Sequence, residues 1–303
     1  MNRKNHEIEL GTQIKRSTDI ILNVFFIIVA IACLYPLFLV LGVSLTDEMA
    51  IRLHGYHLIP KQFSLEAYKF VLKNGTAVAR GYLNTIIVTL VGSTLGLFIM
   101  AMYAYPLSRD DFKYKGIFNF IVVFTMLFNG GMVPHYIIYV NVLHIKDKLI
   151  ALVLLWIFNA FYVMIIRTFY KSNVPKSLIE AAQIDGAGEF YTFFKIVMPL
   201  AKPALATVFM FSMLVYWNDW FGPYLYIMSE KKFNLQYLMY RIEQNIQMIA
   251  RISGVPDPSA IANLPSEGAR MAMAIVGIGP VILAYPFFQR YFERGITLGA
   301  TKE

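Results

Sequence analysis

Cysteine is almost missing from this chain of 303 residues. Cys33 stands alone inside an apolar run, which excludes a disulfide framework and a cysteine-based metal centre. Charge is scarce too, at 15% of residues against 57% hydrophobic, with a mean hydropathy of +0.55. A soluble globule of this length could not hide so much apolar surface. Acidic residues number 19 against 27 basic ones, a net charge of +8. The basic residues are scattered among the flanks of apolar runs, so membrane orientation accounts for them and nucleic acid is not expected as a partner. There is no Gly-x-x-x-x-Gly-Lys-[Ser/Thr] and no Gly-Lys pair at all, so the chain has no phosphate cradle of that kind. Gly-x-Ser-x-Gly and His-Glu-x-x-His are missing as well, which speaks against a membrane-embedded hydrolase. Inverted repeats and charged mid-span relays, the marks of an ion-coupled transporter, are not visible. The first 17 residues mix both signs of charge and lack an apolar core, so they read as a tail and not as a cleavable signal.

What is present is a set of long apolar runs. Six spans are expected, at about 20–43, 82–106, 117–137, 149–169, 203–227 and 269–288. Each is long enough at ~1.5 Å per residue to cross a hydrocarbon core of ~30 Å. The third is interrupted at Asn129-Gly130-Gly131 and again at Pro134. An even number of spans puts both termini on one side. The short loop 107–115 with Arg109, Lys113 and Lys115, together with Arg3, Lys4, Lys15 and Arg16, makes that side cytoplasmic. The organisation predicted is an all-α polytopic membrane protein: a cytoplasmic tail 1–17, a six-span domain 18–290 with a cytoplasmic loop at about 170–202, and a cytoplasmic tail 291–303.

That loop is the most structured of the inter-span segments. Ser177 and Glu180 have capping-box spacing, so a short helix is expected to begin there, and Gly186 or Gly188 offers the positive φ that ends it. Phe190, Phe193, Phe194 and Val197 then fall at helical spacing, and Pro199 is expected to stop the second helix. From pattern alone, this hairpin serves either a protein partner or a lipid surface.

Glu180-Ala181-Ala182, Asp185-Gly186-Ala187, Phe193, Ile196, Pro199-Leu200 and Pro203 resemble the EAA loop of ABC-importer membrane subunits. The likeness extends to Asn84-Thr85, to Ala104-Tyr105-Pro106-Leu107-Ser108-Arg109 and to Trp217-Asn218-Asp219-Trp220-Phe221-Gly222-Pro223, which are similar to the maltose-type carbohydrate permeases. Phe128-Asn129-Gly130-Gly131-Met132-Val133-Pro134 resembles the branch associated with complex oligosaccharides and polysaccharides, and Arg294 to Ala300 is similar to the family's C-terminal tail. The resemblance covers residues from about 80 to the end. It implies a transmembrane permease subunit of an ATP-driven importer in the cytoplasmic membrane of a prokaryote, moving carbohydrate by alternating access. Glu180, Ala181, Ala182, Asp185, Gly186 and Ala187 would form the coupling helix, seated on a separate ATPase. The partners implied are a second homologous permease, two ATPase subunits that bind ATP and Mg, and an extracytoplasmic solute-binding protein. The chain itself would be no enzyme and carry no cofactor. Since the EAA loop is common to importers generally, a permease for a non-sugar solute stays open.

Candidate substrate contacts come from polar groups inside spans. Asp219 is the clearest, and Ser212, Tyr216 and Asp219 share one helical face by the i, i+4, i+7 rule. Trp217 and Asn218 flank it, and Asn129 and Asn159 are expected on the same cavity. Aromatic faces and amides suit sugars, while hydrogen bonding between helices explains Asn218 and Asp219 equally well. Gly92-Ser-Thr-Leu-Gly96 is a GxxxG face, expected to pack within the subunit. Gly277, Gly279, Pro280 and Pro286 suggest a bent sixth span. Outside the spans, His54 and His57 lack a third ligand and read as a surface turn, and a helix is expected near 234–251.

Overall fold

Apolar residues distributed all round a helix leave it no polar face to give to water, and α1 (Arg16–Ser44) is such a helix, exposed along almost its whole length. In the computed structural model, residues 16–73, 75–251, 267–282 and 286 are described, and among them regular structure is helical, with one isolated bridge between Thr46 and Phe63. After α1 come α2 (Glu48–His54), α3 (Glu66–Leu72), α4 (Gly75–Ser108), α5 (Lys115–Leu127), α6 (Met132–Ile137), α7 (Leu149–Leu155) and α8 (Ala160–Asn173). Then follow α9 (Lys176–Ile184), α10 (Glu189–Thr192), α11 (Met198–Leu200), α12 (Lys202–Trp217), α13 (Phe221–Tyr226) and α14 (Leu235–Arg251). Residues 267–282 are helical as well.

The chain divides into two compact units, residues 1–70 with 257–275, and 71–256 with 276–303. In the first, Asp47 caps α2, its carboxylate accepting from the Met49 and Ala50 amides at 3.0 and 3.4 Å. The buried Glu48 carboxylate accepts from the amides of Glu267 and Gly268 at 3.4 and 3.1 Å. In the sequence Pro265-Ser266-Glu267 reads as an N-terminal helix signal, and Pro265 and Ser266 lie outside the described residues.

The second unit is built round α4, which packs against α12, α8 and α7. Ala101 and Ala104 are fully buried and let neighbouring backbones approach, while Met100, Leu107, Val163, Ile166 and Val208 fill the space between. The GxxxG face works inside the subunit: a Cβ at Gly92 would fall on the Tyr216 ring, and one at Gly96 would lie 2.7 Å from the Ile157 carbonyl oxygen. Asn84 donates from its amide to the carbonyls of Lys231 and Phe233 at 3.0 and 2.9 Å, and the Thr85 hydroxyl accepts from the Leu235 amide at 2.8 Å. The start of α14 is thereby fixed to α4.

Among the described residues two helices, α1 and α4, are long and apolar enough to cross a membrane unbroken, and up to five spans result if each bent pair counts as one. α4 starts at Gly75, earlier than the expected 82. The break at Asn129-Gly130-Gly131 is present, with Gly131 at φ +85° and the flanking helices turned by 110°. Pro134 interrupts nothing. It lies in the first turn of α6, where its missing N–H is not needed. The fourth apolar run, expected as one helix, breaks between α7 and α8 with a 53° bend. The helix of the fifth expected span, α12, ends at Trp217, well short of 227. The α14 helix matches its expected place.

Candidate functional site

Pro175, with φ fixed near −62°, leads directly into α9, whose first residue is Lys176. Ser177 therefore has helical backbone and caps nothing, and the predicted capping box with Glu180 does not form. The physical reason is that proline already presets the entry dihedral without offering an amide that needs a partner. Glu180 is left exposed, without a hydrogen-bond or ion-pair partner among the described residues. At the other end Gly186 has φ +77°, its amide donates to Gln183 O at 3.0 Å, and the Ala187 amide donates to Ala182 O at 2.8 Å. This pair of bonds is a Schellman close. Ala182 is buried under it, and Gly188, the other candidate, has ordinary negative φ.

The second arm is α10, then a widened turn over Phe193–Val197, then α11. Pro199 lies inside α11 and the helical path runs on to Leu200, because the widened turn has the Met198 amide bonded to Phe193 O, five residues back. Phe193 and Val197 are buried, whereas Phe190 and Phe194 are exposed, so the expected apolar face is split between two surfaces.

Both arms are tied to the 107–115 loop. The Arg109 guanidinium donates from Nη1 to Glu189 Oε2 at 3.1 Å and to the Tyr105 hydroxyl at 3.0 Å, and from Nε to Asp111 Oδ1 at 2.8 Å. Tyr105 in turn donates to Glu189 at 2.8 Å, and its ring lies 5.4 Å from that of Phe193. On the first arm, Lys176 pairs with Asp110, which also takes Lys115 at 3.2 Å. Hydrogen bonding to Lys176 and Lys115 holds the Asp110 carboxyl down at about 2, and Asp111 beside it pushes the Arg109 guanidinium above its ordinary value. Large apolar side chains also stay bare on the hairpin: Ile184 is 86% exposed, Phe190 69% and Tyr191 58%.

The residues proposed to meet substrate are placed differently. Since α12 stops at Trp217, Asp219 is not on the Ser212–Tyr216 face. Tyr216 is 2% exposed and donates its hydroxyl to Val153 O at 2.6 Å, and the buried Trp217 indole donates to Gly277 O at 2.9 Å. Neither ring is open to a passing solute in this conformation. Asp219 Oδ1 accepts from the Gly222 amide at 2.9 Å at the entry to α13, with the Trp156 side chain as a further partner. Asn129, Asn159 and Asn218 each commit half of the amide to local backbone. Asn129 Oδ1 accepts from Gly131 N at 2.8 Å and Asn159 Oδ1 from Phe161 N at 3.0 Å, while Asn218 Nδ2 donates to Leu214 O at 2.8 Å. The other half of each amide has no protein partner among the described residues.

The chain matches, over residues 10–298, the family described as "Binding-protein-dependent transport system inner membrane component". It belongs to that family. The permease is 35% identical over 292 residues to the polygalacturonan/rhamnogalacturonan transport system permease protein YtcP of Bacillus subtilis, covering 95% of this chain and 99% of that one. It is 33% identical to protein LplC and 29% to the arabinooligosaccharides transport system permease protein AraQ of the same organism, covering 92% and 93% of this chain and 93% and 95% of those proteins. Among solved structures, it is similar to a bacterial ABC transporter involved in the import of the acidic polysaccharide alginate, with a TM-score of 0.77 and 28% identity over 93% of this chain and 98% of that one. An ABC-importer permease is a bacterial membrane component working with an ATPase and a solute-binding protein, and it is not an enzyme.

In the sequence Arg109 reads as an orientation signal, and nothing there joins it to Glu189. Eighty residues separate the two, and no local pattern joins them. Ile184 was missed for another reason. One isoleucine in a short helix reads as core, and only the structure shows it on the surface.

Proposed function

We propose that the permease moves carbohydrate, specifically oligosaccharides derived from complex and acidic polysaccharides, by alternating access driven from a separate ATPase. The substrate class rests on the transport names borne by the polygalacturonan/rhamnogalacturonan and arabinooligosaccharide permeases and by the alginate importer. The chain crosses the membrane six times with both termini cytoplasmic, beside a second, homologous permease. Two ATPase subunits bind ATP and Mg, and the solute-binding protein delivers sugar from outside. Glu180, Ala181, Ala182, Asp185, Gly186 and Ala187 form the coupling helix. The observation that carries this reading is the α9 hairpin: a Schellman-closed helix with a bare apolar tip and an exposed Glu180 carboxylate that makes no hydrogen bond or ion pair among the described residues, tied back to α4 through Arg109 and Asp110. Glu189, Arg109 and Tyr105 then pass movement of the hairpin to the spans.

Along the substrate path, the half-free amides of Asn129, Asn159 and Asn218 offer hydrogen bonds to sugar hydroxyls, with Asp219 behind them. Tyr216 and Trp217 support that surface from within the packing. The test is affinity purification of this chain from membranes, reconstitution of what accompanies it into liposomes, and uptake of labelled oligogalacturonide against a labelled amino acid. An ATPase subunit and oligogalacturonide uptake are expected. An ATPase accompanied by amino-acid uptake alone would move the reading to a non-sugar permease, and no ATPase at all would overturn it.

A further inference from the structure

Pro280 lies within the helical residues 276–282, and it has no N–H. In an α-helix the amide of residue 280 would serve the carbonyl of residue 276, so Val276 O is left without its helical donor. A carbonyl orphaned in this way inside a membrane protein must find another partner. Here the Tyr82 hydroxyl, on α4, donates to Val276 O. The next carbonyl along, Gly277 O, accepts the Trp217 indole N–H from the last residue of α12 at 2.9 Å. Gly277 itself is buried. The Tyr82 and Trp217 rings are themselves neighbours, with centroids 6.4 Å apart. Two side chains from two different helices therefore converge on the two consecutive carbonyls at the proline step.

We propose that Tyr82 and Trp217 are positioning residues for transport: they take the carbonyls at the Pro280 step and so hold this turn against α4 and α12 in one conformation of the cycle. The bonds suit such a task. Each is a single side-chain donor, released by a rotamer change, and its carbonyl can take water when a cavity opens beside it. A proline turn whose carbonyls are held by neighbouring helices is a discrete two-state element, which alternating access requires. This inference leaves the sugar contacts untouched and assigns Trp217 to the permease's own switching.

The proline supplies the test. Tyr82→Phe deletes only the donor, leaving a part-buried carbonyl unsatisfied and shifting the conformational balance by roughly tenfold. Pro280→Ala restores an amide that serves Val276 O within the helix, and so makes the Tyr82 hydroxyl redundant. In the assembled complex with its ATPase, the ratio of sugar-stimulated to basal ATPase rate is read for both single variants and the double variant, at equal recovery of complex. Tyr82→Phe is expected to change the ratio severalfold in the Pro280 protein and to have no further effect in the Pro280→Ala protein. Trp217→Phe, whose carbonyl is not served by residue 280, is expected to act in both. A silent Tyr82→Phe, or an equal effect in both backgrounds, overturns the proposal. Pro280→Gly supplies the same amide should the alanine variant fail to assemble.

Discussion

At Gly186 a φ of +77° lets two amides turn back onto the end of α9, and among the described residues no neighbouring atom crowds the position. The glycine is therefore required by its backbone, and a β-branched residue at that φ costs about 1–3 kcal/mol of local strain. Gly186→Val should leave insertion and complex recovery unchanged while uptake and sugar-stimulated ATPase activity fall at least several-fold. Wild-type uptake at equal abundance would contradict this. The glycine was legible in the sequence because αL termination has a residue signature, whereas the choice between Gly186 and Gly188 was not. Asp219 shows the opposite limit. Its charge inside an apolar run stood out, but its role depended on where α12 stops. The Gly222 amide and the Trp156 side chain, invisible to a helical-face count, take up its carboxylate.

Among the elements, α4 organises the second unit because its small residues admit other chains. Gly92 admits the Tyr216 ring and Gly96 the Ile157 carbonyl. Gly92→Ala places a methyl group inside the Tyr216 ring volume and strains the hydroxyl bond to Val153 O, an overpacking cost of about 1–3 kcal/mol. The amount of assembled complex and its apparent melting temperature should both drop, and an unchanged melting temperature would show that α12 gives way freely. The glycine pair was readable as a packing face, as was the break at Asn129-Gly130-Gly131. The breaks after Leu155 and Trp217 were not: each has a polar signal, Asn159 capping α8 and Asn218-Asp219 before α13, but inside an apolar run such residues read equally as groups lining a cavity. They are set by what packs on them: the Ile157 carbonyl lies over Gly96, and Asp219 turns the chain into α13.

For the whole molecule, the account is a permease whose spans are moved from outside by a hairpin. Family membership was legible because the EAA spacing is long and specific. The transmission route was not, because Arg109, Asp110, Glu189 and Lys176 meet only after folding. The central claim is that the bare tip of α9 is where the ATPase sits, and proximity tests it most directly. In a Cys33→Ser background, a thiol-attached photo-cross-linker at Ile184→Cys in native membranes should give an adduct of this chain with the ATPase subunit. The same probe at Met228→Cys, also strongly exposed but at the Asp147-bonded turn, should give no such adduct. An Ile184→Cys that labels freely in the intact complex and cross-links to no ATPase would contradict the account.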